Sequence, residues 1–552
     1  MKILQKINKM RLNKTYNYWI LAVLIPFVAW GQKKRDSIAS ETVTVTKSYQ
    51  PTVKDADKME INPPVISDES FEKRPVEYNP LEIQAVSTYM AEQGKLVRPL
   101  VQRESFQPRD GYVAFSVGNR KSLRLQGHYL HELSDVWKAG AGVNFFYNGP
   151  SSLDTLSFNR LTDLNLHGDI IGEGDKLTYT GQISYNLKNS LYRDTLLPFS
   201  KVNSPFHFHR IGWDNKLSID DFNVREIGLN YNFLAGPSAL QEHVLDFNIS
   251  PEFPISGLSL KVPLHAGWVN GNNQTGSYNN NFVSLTPSVQ FERERFLFNV
   301  GAALYYQNRE DLYENFQFFP EISVQYHMIY ELLTVYLNYE GGLKNHAYSN
   351  LLNESIYIYP NVPLLPSLIT YHFFGGFKGN IGGRVVYDLR LGVANEKNAL
   401  LMNLNSSPDG LALSPVYDTS MDYYYFSPSL SYVVPEKFET KILFDYYQYN
   451  PSTATKAWNK SEYKLSWLLR FHAGKFRFQT QTFYVGPRYY SQGNTVLKAN
   501  AFTDLNLRLD YVWSKQVRIF AEGNNLLNNN YQLYHAYPVF GFRVMAGAMY
   551  SF

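Results

Sequence analysis

His207 and His209, in the run Phe206-His-Phe-His-Arg210, place two imidazoles on one face of any extended segment, which is how a metal site can begin. A working site needs at least one further ligand, and the sequence assigns none. Both are therefore expected to line the inside of the fold or to sit in a loop. Glu132 follows His131, but no second histidine completes a zinc motif; there is no GxSxG and no phosphate-cradling glycine loop. The expectation is a protein that is not an enzyme, with no catalytic residue, cofactor or resident metal. Two tyrosine-rich stretches, Tyr423-Tyr-Tyr-Phe426 and Tyr446-Tyr447, could stack sugar rings, or could anchor the chain at a membrane interface. The asparagines Asn279-Asn-Asn281 read as a solvated turn.

The elements that would carry these residues have a period of two. Leu123, Leu125, Gly127 and Tyr129 alternate with Arg124, Gln126 and His128; Tyr463, Leu465, Trp467, Leu469 and Phe471 alternate with Lys464, Ser466, Leu468, Arg470 and His472. Val385, Tyr387, Leu389, Leu391 and Val393 do the same against Val386, Asp388 and Arg390. One face is apolar and the other polar with mixed charge, as in a barrel with lipid outside, whereas a water-soluble barrel would invert the pattern. Such segments number about 22, the first near residue 111 and the last near 541, and an even count suits a barrel. Connectors agree: Asp220-Asp221, Ala473-Gly-Lys475 and Ser514-Lys-Gln516 are short, and they interleave with long ones such as Lys188 to Pro205, Asn270 to Asn281, Asn345 to Leu368, Lys397 to Ser420 and Gly486 to Asn500. Short periplasmic turns and long external loops follow from that rhythm.

Composition narrows the class. Tyrosine (42) and phenylalanine (36) far outnumber tryptophan (8), an enrichment suited to strands and interfacial girdles. A mean hydropathy of -0.31 excludes a polytopic helical membrane protein but not a barrel, whose strands are half polar. The net charge of +3 carries no signature for nucleic acid, and with no cysteine there can be no disulfide.

The end of the chain is the most specific stretch. Phe542, Val544, Ala546, Ala548, Tyr550 and Phe552 fall on one parity, Arg543, Met545, Gly547, Met549 and Ser551 on the other. An apolar strand ending on an aromatic would be an aggregation hazard unless its edge closes onto another strand. Upstream come Gly523-Asn-Asn-Leu-Leu-Asn528, then Tyr531 and a loop bearing Pro538. With Pro360-Asn-Val-Pro-Leu364 and the segment from Tyr371 to Asn398, this resembles the barrel of TonB-dependent outer-membrane receptors. The resemblance implies that Phe542, Val544, Tyr550 and Phe552 belong to a closing strand recognised by the barrel-assembly machinery.

Three regions follow. Residues 1–31 read as a signal peptide: Lys2, Lys6, Lys9, Arg11 and Lys14 precede the apolar run Trp19 to Trp30, with Ala29 and Gly31 before the cleavage point. Residues 32–110 are charged and rich in proline, a periplasmic extension. Within it, Glu41-Thr-Val-Thr-Val-Thr46 resembles the TonB box, with Thr42, Val43, Thr44, Val45 and Thr46 able to add as a strand to TonB. Residues 111–552 form the barrel. The whole is expected to be all-β: a transmembrane antiparallel barrel in the outer membrane, surrounded by lipid, with both termini periplasmic. The family places a plug of well over a hundred residues before its barrel; here only about eighty lie between Gln32 and the first strand. Something must therefore fill or cap the lumen: the extension, inward-folding loops or a protein partner. The leading expectation is a membrane subunit of a larger outer-membrane complex for transport, secretion or protein assembly. The alternative is a reduced TonB-dependent importer with a minimal plug, and a passive porin is the remaining class.

Overall fold

The computed structural model describes residues 111–552 except 150–156, 195–205, 220–222, 256–257, 309–313, 361, 405–412, 493–494, 530, 535–536 and 540. The signal peptide, the extension and the Thr42 to Thr46 strand lie outside the described residues. From Gly111 on, the alternating segments pair antiparallel with their sequence neighbours into one sheet that closes on itself. The sheet holds 24 segments. Two strands are each split by a proline, Leu258–Lys261 from Leu264–Asn273 at Pro263, and Gly276–Leu285 from Ser288–Arg293 at Pro287, so the barrel has 22 strands. Proline has no N–H for the ladder, and its neighbours satisfy the gap instead: Thr286 N–H donates to the Pro263 carbonyl at 2.9 Å.

Closure is made by the last strand. Arg543–Ser551 pairs on one side with Val517–Asn524 and on the other with Gly111–Gly118, Val113 facing Tyr550 and Val117 facing Ala546. Gly111 and Phe552 exchange both backbone hydrogen bonds at the joint, 3.1 and 3.0 Å. Phe542, Val544, Tyr550 and Phe552 all point outward and are exposed, and Arg543, Met545 and Met549 point into the lumen and are buried. The same division runs round the wall: Ile183, Trp213, Phe318, Leu391 and Trp467 stand exposed outside, an apolar band that only lipid can cover.

The two rims differ. One carries tight turns; between Ile381 and Arg384 both residues are glycines in the left-handed region (φ 60° and 70°), as a two-residue hairpin turn requires. At the other rim strands run on far beyond the roughly ten residues that cross a bilayer. Val385–Leu404 has 20 residues and Leu413–Val434 has 22.

This over-extension corrects two expectations. The long connector Asn270 to Asn281 is instead paired almost to its tip, Asn270 facing Asn279 and Asn273 facing Gly276, because the hairpin projects past the membrane. The asparagines 279–281 are thus strand residues, and Asn280 is buried.

Candidate functional site

At the long-loop rim, described parts of the chain fold inward over the lumen. Residues 345–366 fold inward through a short helix, α1 (Tyr348–Glu354), and Tyr348, Leu351, Leu352, Ile356, Tyr357, Ile358 and Leu364 enter one apolar cluster. Wall residues reach it from many strands: Phe146, Phe206, Phe208, Leu234, Val244, Val269, Met402, Phe483, Phe502 and Met545. The hairpin of Arg488–Gln492 with Thr495–Ala499 adds Tyr490 and Ala499 to the same cluster. Beside it, Trp458 from the loop after Phe438–Pro451 packs on Leu401 and Met421. Burying these side chains where wall and loops meet packs an apolar layer across part of the mouth.

Buried carboxylates hold the loops to the wall. Glu242, fully buried at the rim end of Gln241–Ile255, accepts hydrogen bonds from the Tyr278 hydroxyl (2.6 Å) and from the backbone N–H groups of Tyr348 (2.8 Å) and Ser349 (2.9 Å). These N–H groups belong to the first turn of α1, which has no intrahelical acceptor for them, and a carboxylate there suits the helix dipole. Tyr278 reaches across because Gly271 lies beneath its ring; a Cβ at Gly271 would sit 2.1 Å from the ring carbon Cζ. Asp418 does the same for the loop beginning at Ser452, accepting from the backbone of Ser452, Thr453 and Ala454 at 2.9, 2.9 and 2.6 Å. In the last loop Tyr531 stacks on Phe502, ring centroids 3.8 Å apart, and donates its hydroxyl to Asp504. The asparagines of the Gly523 to Asn528 motif shape that loop: Asn525 and Asn528 both take φ 49°, and the Asn525 side chain both accepts from and donates to the Asn529 backbone at 3.0 Å.

His346 lies inside this seal. The Ser367 hydroxyl donates to the Asn398 carbonyl (2.7 Å) and so accepts from His346 Nε2–H (2.7 Å). Burial, reinforced by Lys344 and Lys460, pulls the imidazole pKa down to about 3. An undocked loop would titrate near ~6.5 and take up a proton that the docked loop refuses. Docking strength is complete above that value and falls by ~1.4 kcal/mol per unit as the pH drops toward about 3, or ~2 kcal/mol at pH ~5. A spin label at Asn353, on the exposed side of α1, should therefore gain mobility between neutral pH and pH ~5, and His346→Gln should remove that dependence.

Below the seal the lumen wall carries a tyrosine ladder. Tyr423 and Tyr425 face Tyr449 and Tyr447 on the neighbouring strand; Tyr447 and Tyr449 stack at 5.5 Å with planes 4° apart, and Tyr425 and Tyr447 at 5.4 Å. His372 joins it, with Nδ1–H donating to Glu340 (2.9 Å) and Nε2 accepting from the Tyr425 hydroxyl (2.8 Å). Flat faces beside fixed polar groups can stack a sugar or an aromatic ring. Of the residues in the two tyrosine runs, Tyr424 and Tyr446 instead stand outward and exposed, so each run divides between lumen and exterior.

His207 and His209 are not lumen-lining. They point outward, and Phe206 and Phe208 turn into the loop cluster. Beyond the membrane the polarity of a strand reverses, because its inner side meets dry packed loops and its outer side meets water. Among the described residues the grouping with metal-ligand spacing is another one, His128, His167 and Asp169, on two strands that are not neighbours. Nothing in the linear sequence pairs them, or identifies Glu242 as a loop anchor.

No protein-family model matches the sequence, and no curated protein does either. Solved structures do. The siderophore receptor PirA from Acinetobacter baumannii superimposes with a TM-score of 0.61 over 80% of this chain and 80% of its own, at 12% identity. The FrpB iron transporter from Neisseria meningitidis gives 0.62 over 81% and 82%, at 10% identity. The copper transporter OprC gives 0.58 over 80% and 82%, at 12% identity. At such identities the likeness is one of fold: the barrel is of the TonB-dependent-receptor type.

Proposed function

We propose that the chain is a non-enzymatic, receptor-type barrel of the outer membrane that serves as the membrane subunit of a larger complex for transport, secretion or protein assembly. Its tight turns and both termini are periplasmic and its long-loop rim is outside. The observation that carries this reading is the inward packing of loops at that rim, with Glu242 and Asp418 clamping them over a lumen as wide as 22 strands enclose. A passive porin needs an open mouth. A sealed barrel acts through what it binds, and here the binding partner is another chain at the periplasmic side or over the closed rim.

The importer reading has its own support in the tyrosine ladder below the seal, a surface that a ligand in transit could use. The two readings part at Thr42 to Thr46. An importer must pair that strand with TonB through main-chain hydrogen bonds, which proline cannot donate. Val43→Pro with Val45→Pro is expected to leave function largely intact, and partner chains are expected to co-purify with the wild type in mild detergent. Loss of activity in the proline variant, with an assembled barrel and no co-purifying chain, would establish the importer instead.

Insertion by the barrel-assembly machinery makes a separate prediction. Deleting Phe552 removes the aromatic terminus and should lower the yield of heat-modifiable barrel. Tyr550→Asp, one residue from the end of its strand and so close to the interface, should cost only about 1 kcal/mol in the folded state. Undiminished yields from the deletion would show that the terminal aromatic is not read.

A further inference from the structure

We propose that His128, His167 and Asp169 form a binding site on the lumen wall for a late first-row divalent cation, Zn2+ or Cu2+. His128 lies on Leu123–Glu132, and His167 and Asp169 lie on Ser157–Glu173; the strand Trp137–Asn148 runs between them. Asp169 Oδ2 is 3.1 Å from His128 Nε2 and 3.6 Å from His167 Nε2, and the three ligand atoms lie within 4.8 Å of one another. Donor atoms around a tetrahedral zinc ion at ~2.0–2.1 Å stand roughly 3.3 Å apart, so an ion fits with little movement. Two imidazoles and a carboxylate match the preference of zinc and copper over calcium or magnesium.

The surroundings fix the ligands. Gln182 donates to Asp169 Oδ1 at 2.6 Å and turns Oδ2 toward the histidines. The Asn165 amide donates to Asn186, which leaves its oxygen to accept from His167 Nδ1–H at 3.0 Å. That tautomer presents the bare Nε2 lone pair of His167 to a carboxylate oxygen, an arrangement that a cation between them stabilises. On the intervening strand Gly142 sits directly between the two histidines in register, and its missing side chain makes the room. A Cβ there would stand 2.2 Å from His167 Nε2 and 3.1 Å from His128 Cδ2. The three ligand side chains keep 14% to 30% of their surface, so the remaining coordination position opens to the lumen. There it can take water or a donor atom from a passing ligand.

The test uses the full-length chain, purified in detergent with a histidine-free tag and stripped with chelator. Titration with ZnCl2 should show one ion per chain, and X-ray absorption at the zinc edge should show imidazole scattering from two histidines. His167→Ala and Asp169→Asn should each weaken binding about 100-fold or more. Gly142→Ala keeps every ligand and should weaken binding as much, by pushing the His167 ring aside. His243→Ala, an exposed histidine paired with Tyr231 at 2.8 Å, should bind as the wild type does. Heat-modifiability reports folding of each variant. Wild-type affinity in all the variants, no stoichiometric ion in the wild type, or an edge spectrum without imidazole would overturn the proposal, the last two without recourse to any variant.

Discussion

Replacing Glu242 by alanine is expected to release residues 345–366 from the wall while leaving the barrel intact. The carboxylate accepts, in a fully buried setting, from the Tyr278 hydroxyl, from two N–H groups of α1 and from the Ser349 side chain. Without it each donor is left unpaired away from water at ~1–3 kcal/mol, so docking should weaken by on the order of 3–5 kcal/mol. Loop docking then becomes marginal, because a segment this size gains little more than that once its ordering entropy is counted. Hydrogen exchange should reveal it, with the amides of 346–358 losing protection and those of the strands keeping theirs. Glu242→Gln retains one acceptor oxygen and should show roughly half the effect. Unchanged protection in Glu242→Ala would mean that apolar packing alone holds the loop.

The second large effect lies at the closing seam. Arg124 reaches across the first and last strands to Glu522 (2.5 Å), and Glu522 also faces Arg508 (3.5 Å), which forks onto Asp510 with two 3.0 Å hydrogen bonds and lies 4.0 Å over the Phe520 ring. All four charged side chains are at most 10% exposed. Ser116 and Gly547 lie under this bridge, and a Cβ at Gly547 would stand 2.5 Å from that of Ser116, so the seam is packed too closely to admit bulk between the charges. Glu522→Gln leaves the Arg124 guanidinium buried without its counter-charge, a change that costs ~3–5 kcal/mol. The temperature at which the folded band converts on an electrophoresis gel should fall clearly. Adding Arg124→Met, which removes the guanidinium nearest the lost carboxylate charge, should recover part of the loss. An unchanged transition in Glu522→Gln would show that the seam is held by its backbone ladder alone.

How much of this the sequence discloses depends on whether the cause is local. A strand's two faces are written into its own residues, so Leu123 to Tyr129, Val385 to Val393 and the run to Phe552 declare wall, lipid side and closure without knowledge of the fold. The rims are different. Glu242 in Gln241-Glu242-His243 looks like any charged residue at a turn, and its role arises from a loop about a hundred positions away. His207 and His209 read as lining the inside or sitting in a loop, yet the strand has already left the membrane, so they face outward and Phe206 and Phe208 turn in. His128, His167 and Asp169 converge only because a glycine on the strand between them leaves room, which no spacing in the chain records.

If the chain's own loops close the lumen, planar-bilayer conductance must show it. A chain lacking residues 32–108 removes the extension from consideration, and its barrel should remain electrically silent. Removing residues 346–365 as well, with a short glycine-serine bridge in their place, should turn it into a stable conducting pore. A large steady conductance from the barrel with every loop still present would mean that the loops do not close it.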